Sequence, residues 1–349
     1  MALPDAGNPI SLQQVNVELD LTATATINMG AAAVRTLFDD ASGAISMSDG
    51  YGKSNNVSLT ASAASSANLK TLFDNATAGS WADSVAKIYT INGGTDMGIL
   101  TVPASMGGTL LVQIASGATV RGVGGAANTS PGAGGTGNGA AGAAGGAGNA
   151  AGAAVSVAST GVTINVVGSL QGGGGGGGAG GGAGSGGQGR TTSYYTSGQF
   201  CQQQGCPGQC TAGCVAIGQG CGPDEDSFYR QNCAYYVYHT AGAGGAGGNS
   251  GKGQGYVSAA GSGASGSGGS SASNAGTGGT GGAGGNGGAF GAAGSAGSAG
   301  ASGANSYANG GAGGAGGAAG AAGRAVLFVG ISAYTIIGTD SGTIAGAYN

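Results

Sequence analysis

The residues best equipped for chemistry lie together between Arg190 and His239. All six cysteines of the chain fall there: Cys201, Cys206, Cys210, Cys214, Cys221 and Cys233. Six of the twelve tyrosines join them, Tyr194, Tyr195, Tyr229, Tyr235, Tyr236 and Tyr238. An even set of cysteines crowded into a loop-rich insert points to disulfides, with the pairing open. Zinc is the weaker alternative, because the spacings contain no C-x2-C pair and His239 is the only histidine. Free thiols are the third possibility. Tyrosine offers flat, amphipathic contact area with little rotamer entropy to lose, which suits recognition. The same rings could instead cover a small disulfide core. For Tyr235, Tyr236 and Tyr238 the two readings stand level, and their spacing on a strand would turn at least one outward. The Asp224-Glu225-Asp226 cluster lacks EF-hand spacing and reads as a solvated turn.

No catalytic constellation accompanies these residues. His239 has no evident nucleophile beside it. The glycine runs end in no Gly-Lys-Ser/Thr and lack the strand-to-helix context of a phosphate loop. The sequence therefore predicts a binding or structural protein, with no catalytic, metal or cofactor residue.

What positions the insert is an unusual chain. Glycine supplies 87 of 349 residues, charged residues make up 6%, and there is a single tryptophan. So few large side chains give little to bury, and glycine loses the most backbone entropy on ordering. Disorder normally comes with high charge, which is missing here. The alternative is order built on backbone contacts. A net charge of −4 without a basic run argues against nucleic acid. No apolar stretch is long enough to span a membrane, and the first residues carry no secretory signal.

Three regions follow. Residues 1–54 read as a small α+β module, with a strand over Val15, Val17, Leu19 and Leu21 and a helix over Ala31 to Asp39. Residues 55–121 read as a β-rich linker domain. Its strands are Val85 to Ile91, Met97 to Val102 and Thr109 to Ile114, separated by turns at Gly93-Gly94 and Gly107-Gly108. Trp81 is expected there as a core anchor rather than a ligand-stacking residue. Residues 122–349 form a glycine-rich domain interrupted by the insert at 190–239.

In this last region the spacing matters more than the number. Glycine recurs at every third position from Gly276 to Gly303, from Gly311 to Gly323, from Gly242 to Gly251 and from Gly139 to Gly148. A left-handed extended helix has three residues per turn and no internal hydrogen bonds, so such glycines line an edge where another backbone can approach. Collagen would need abundant proline, and no proline occurs from 241 to 349. Silk-like stacking would show a period of two. A recurring Gly-small-hydrophobic-x-Gly signature at Gly117 to Gly122, Gly168 to Gly172 and Gly342 to Gly346 marks short apolar strands anchoring the glycine layer. The expected fold class is thus mostly irregular/β: an N-terminal α+β module, a β-rich linker domain, and a C-terminal bundle of polyglycine-II helices with a disulfide-stabilised insert.

Two stretches resemble a known family. Leu12-Gln-Gln-Val-Asn-Val-Glu-Leu19, Ala23-Thr-Ala-Thr-Ile27 and Gly43-Ala-Ile-Ser-Met-Ser-Asp49-Gly-Tyr51-Gly-Lys53 are similar to the N-terminal module of phage tail and tail-fibre proteins. The junction Val166-Val-Gly-Ser-Leu-Gln-Gly-Gly-Gly resembles the glycine-rich distal regions of tail-tip adhesins. The resemblance implies a virion tail protein, assembled in the host cytoplasm and exposed after release, when late oxidation of the cysteines becomes feasible. Its partners would be other phage tail or baseplate proteins and a bacterial surface protein or glycan, with a homotrimer as the expected assembly. The six insert tyrosines become candidate receptor contacts. A purely structural tail component and an ice-binding glycine-rich protein are the alternatives.

Overall fold

The computed structural model describes residues 3–19, 21–53, 55–61, 65–197, 214–217, 231–331, 335–337 and 343–347. Its N-terminal part is helical. Helix α1, Leu12–Glu18, begins with a capping box: the Ser11 hydroxyl accepts from the Gln14 N–H while Gln14 Oε1 accepts from the Ser11 N–H. This reciprocal cap satisfies two otherwise orphaned donors, and it outweighs the period-two pattern that predicts a strand. Helix α2, Ala32–Phe38, stops at Asp39 in the left-handed conformation, φ 56°. Val15, Val34, Leu37 and Phe38 meet Leu3 in a small core of their own.

Beyond it the chain winds as a parallel β-solenoid with three faces. Strands are numbered along the chain. The first face stacks β1 Asn56–Thr60, β3 Ala86–Ile91, β6 Leu110–Ile114, β9 Val162–Val166 and β15 Thr335–Ile337. The second stacks β2 Ala67–Asn68, β5 Leu100–Val102, β8 Val155–Val157 and β14 Val326–Phe328. The third stacks β4 Asp96–Met97, β7 Thr119–Arg121, β10 Ser169–Gln171 and β16 Thr343–Ala345. Every pairing among these strands is parallel. From β3 onward the chain visits the first, third and second faces in rotation, so like strands meet again only after a full turn.

Alternation puts every second side chain inside. Tyr89, Val112 and Ile164 form one inward row, and Ile91, Ile114 and Val166 the next. On the third face Met97, Val120, Leu170 and Ile344 stack in the same way. The Gly93-Gly94 and Gly107-Gly108 turns are corners between faces, not hairpins. At Gly108 φ is 63°, and an added Cβ at Gly107 would run into the Ala82 and Asp83 carbonyls. Trp81 is 1% exposed, tilts against Phe73 and donates its indole N–H to the Ala104 carbonyl at 3.0 Å, as a core anchor should. Phe73 belongs to α3, Leu69–Ala76, a helix that the sequence reading does not contain.

Two chain excursions leave the solenoid at one corner, between the third face and the second. The first spans 122–154, after β7; the second spans 172–325, after β10. Their glycine runs lie side by side as extended segments. The run 172–187 is central, and all of it is buried. Gly173, Gly176, Ala179, Gly182 and Ser185 donate to the carbonyls of Gly152, Asn149, Gly146, Ala143 and Ala140. Gly174, Gly177, Gly180, Ala183 and Gly186 donate to Gln254, Gly251, Gly248, Gly245 and Gly242. Gly175, Gly178, Gly181, Gly184 and Gly187 donate to Ala292, Ser295, Ser298, Ala301 and Ala304.

The carbonyls of this run accept from three further segments. The Gly174 carbonyl accepts from the Gly125 N–H, that of Gly178 from Gly285, and that of Ala179 from Gly317. The central run is therefore enclosed by neighbours on every side, and its bonding pattern returns every third residue. At the rim, hydroxyls replace missing neighbours. Ser267 and Ser270 accept from the Ala246 and Ala243 N–H groups at 2.8 and 2.7 Å.

The expected fold class needs correction. The helices α1, α2 and α3 all lie before residue 77, and no helical bundle is present among the described C-terminal residues. The N-terminal module has no strand among its described residues, so it is not α+β. The strands β8, β9, β10, β14, β15 and β16 join the same parallel faces as the strands from β1 to β7, because each excursion returns to the corner it left. The unbroken glycine phase from Gly276 to Gly303 also hides a reversal. The chain turns at Phe290-Gly291, where Gly291 has φ 67° and the Ala292 N–H bonds to the Ala289 carbonyl.

Candidate binding surface

The glycine lattice has two unlike ends. At the solenoid end, the Gly172 N–H bonds to the Ala345 carbonyl and the Gly291 N–H to the Gly172 carbonyl. Arg121 fastens this end: its guanidinium pairs with Asp96, its Nε donates to Gln171 at 3.1 Å, and it lies 5.2 Å over the Phe290 ring. At the far end, the Ala308 N–H bonds to the Gln188 carbonyl and the Ala241 N–H to Asn138 Oδ1 at 2.9 Å. The turns at 137–139 and 306–308 thus gather where the insert leaves and rejoins the lattice. The length of the central run allows a separation of at most about 55 Å between the two ends.

On this tip stands an antiparallel sheet of β11 Gly189–Ser197, β12 Cys214–Ile217 and β13 Gln231–His239, with β13 in the middle. Arg190 pairs in register with Tyr238, and Thr192 with Tyr236, which puts all of them on one face. The Arg190 guanidinium lies 4.1 Å from the Tyr236 ring centroid and 3.8 Å from that of Tyr307, so it packs over both rings. Tyr307 comes from the turn at 306–308, and its ring centroid is 6.2 Å from that of Tyr238. Tyr236, Tyr238 and Tyr307 are 38%, 54% and 53% exposed. Among the described residues no carboxylate forms an ion pair with Arg190. Nearby, Thr191 Oγ1 and His239 Nε2 are 2.8 Å apart.

Of the sequence-predicted contacts, Tyr236 and Tyr238 are exposed at the tip. Tyr194, Tyr195 and Tyr235 lie on β11 and β13, their side chains outside the described residues, as Tyr229 is altogether. Cys201, Cys206, Cys210 and Cys221 also lie outside them, so the disulfide expectation does too. Cys214 and Cys233 are placed only as backbone on β12 and β13. Sequence reasoning misses Arg190 and Tyr307. The signal for Tyr307 is the break in the three-residue phase between Gly303 and Gly311; nothing in the sequence joins it to Arg190.

No protein-family model matches the sequence, and no curated protein matches it. Among solved structures, the chain is similar to the crystal structure of the gp37-gp38 adhesin tip complex of the bacteriophage S16 long tail fiber. The identity is 16% and the TM-score 0.35, over 90% of this chain and 91% of that one. A superposition this loose leaves the function to be argued from the chain's own residues.

Among the described residues no helix is long and apolar enough to cross a membrane, and no group of acidic, histidine or cysteine side chains could hold a metal ion.

Proposed function

We propose that this chain is a non-enzymatic tip adhesin of a bacteriophage tail fibre. The supporting observation is the separation of roles along the lattice. The solenoid, which follows the helical N-terminal module in the chain, forms one end, suited to docking on other tail or fibre proteins. The turns and the tyrosine-bearing sheet form the other, suited to reversible contact with a bacterial surface protein or glycan. The N-terminal sequence that resembles phage tail modules precedes the docking end in the chain, which agrees with this direction. Several copies on one virion, with a trimer as the working assembly, would turn weak tip contacts into firm adsorption.

The test is immunogold labelling of purified virions with antibody against residues 190–239, paired with binding of the labelled chain to a panel of bacterial strains. Label at the distal end of a fibre and saturable binding to some strains are expected. Label confined to the shaft, with no strain bound, would instead favour a purely structural tail component.

A further inference from the structure

We infer that the tip binds an acidic saccharide, with Arg190 taking the anionic group and Tyr307 and Tyr238 the sugar ring. The inference rests on the adhesin reading and names the class of ligand for the same surface. The Arg190 guanidinium lies over two rings, Tyr236 at 4.1 Å and Tyr307 at 3.8 Å from their centroids. Ring contacts engage the π-faces of a guanidinium and not its N–H fork, which is matched to a carboxylate or phosphate and has no ion-pair partner among the described residues. Stacking fixes that fork before any ligand arrives, so less freedom is lost on binding.

The surroundings favour an anion on a ring-shaped body. Tyr238 and Tyr307 are each more than half exposed and present apolar ring area with a hydroxyl at its rim. A hexose carries the matching pair of features, an apolar face of C–H groups and a polar edge. A chain of net charge −4 places an arginine without a carboxylate partner among the described residues at its far end. Neutral sugars would use the rings and leave the guanidinium fork without its anion.

The experiment uses the full chain and three soluble probes: trigalacturonate, glucose 6-phosphate and neutral maltotriose, followed by saturation-transfer NMR and titration. Saturable binding of either acidic probe, with none of maltotriose, is the expected result; the two acidic probes separate carboxylate from phosphate as the source of charge. Arg190→Lys keeps the charge and removes the fork, and should weaken binding by about tenfold or more. Tyr307→Ala should weaken it as well, while an unchanged unfolding midpoint confirms that both variants fold. Failure of both acidic probes to bind, or equal binding by Arg190→Lys, overturns the inference. Strain binding by the wild-type chain that is insensitive to acidic probes does so too, and points to a protein receptor while the adhesin reading stands. Absence of binding to every strain removes the adhesin reading itself.

Discussion

Leu170 and Ile344 are parallel register partners on neighbouring turns of the solenoid, although the whole second glycine excursion separates them in the chain. The excursion closes on itself because its ends meet: the Gly323 N–H bonds to the Gly173 carbonyl at 2.7 Å. The solenoid and the lattice are thus joined at one corner and stacked by different means, side chains in one and backbone in the other.

Excision follows from this closure. Replacing residues 174–322 by a short Gly-Ser link should leave a chain whose solenoid still folds, since chain ends that lie close tolerate such changes. Trp81 is the single tryptophan and is 1% exposed, so its emission reports on the solenoid alone. Blue-shifted emission with cooperative unfolding is expected; solvent-like emission in the native buffer would contradict it.

Glycine should be replaceable in the lattice only where space exists. At Gly180 an added Cβ would sit on the Gly282 carbonyl, whereas at Gly268 nothing lies within 4 Å. Gly180→Ala should cost about 1–3 kcal/mol through overpacking. Gly268→Ala should be neutral or stabilising by up to about 1 kcal/mol, by restricting the unfolded chain. Thermal unfolding of the two variants side by side checks both.

The buried Lys87 gives the solenoid a pH dependence. Its ammonium donates to the carbonyls of Asp83, Val85 and Gly107 at 2.9, 2.9 and 2.8 Å. Burial outweighs the favourable charge of Asp83 and holds its pKa below the ordinary 10.5. The unfolded chain therefore binds more protons between the lowered value and 10.5, so this group's contribution to stability rises with pH across that window and is lost as pH falls through the folded pKa. Tyr89 acts oppositely from 10.0 upward, because burial raises its pKa and keeps it protonated in the fold. Urea titrations from about pH 8 to about pH 11 should show Lys87→Met flattening the rise and leaving the later decline.

At the N-terminus, Ser11→Ala removes the cap of α1 and should cost about 1 kcal/mol locally. Hydrogen exchange should quicken in residues 12–18 while the Trp81 transition stays put, because the N-terminal core is separate from that of the solenoid. A matching shift of both would show the two cores to be coupled.

Much of this architecture is legible in the sequence, though in pieces. The Gly-small-hydrophobic-x-Gly signature marks the same corner three times, and Val120, Leu170 and Ile344 are its stacked hydrophobic residues. The strands over 86–91 and 110–114 are readable from alternation, but their parallel pairing is not, since a period of two is the same for either direction. The strand expected at Val15 is a helix because a local cap prevails over a short alternation. The reversal at Phe290 keeps the glycine phase and so leaves no trace in spacing. At the tip, Tyr236 and Tyr238 are found as neighbours in the chain. Arg190 and Tyr307 meet only because an excursion turn and the root of the insert end at the same height, which no local pattern encodes.

The cross-bonds of the lattice bear on how such a tip would resist force. They run sideways between extended segments, while tension applied between the two ends of the lattice would act along them. Pulling therefore loads many bonds in shear together and cannot open them one at a time, so a scaffold of individually weak contacts would withstand tugging that unzips an ordinary hairpin.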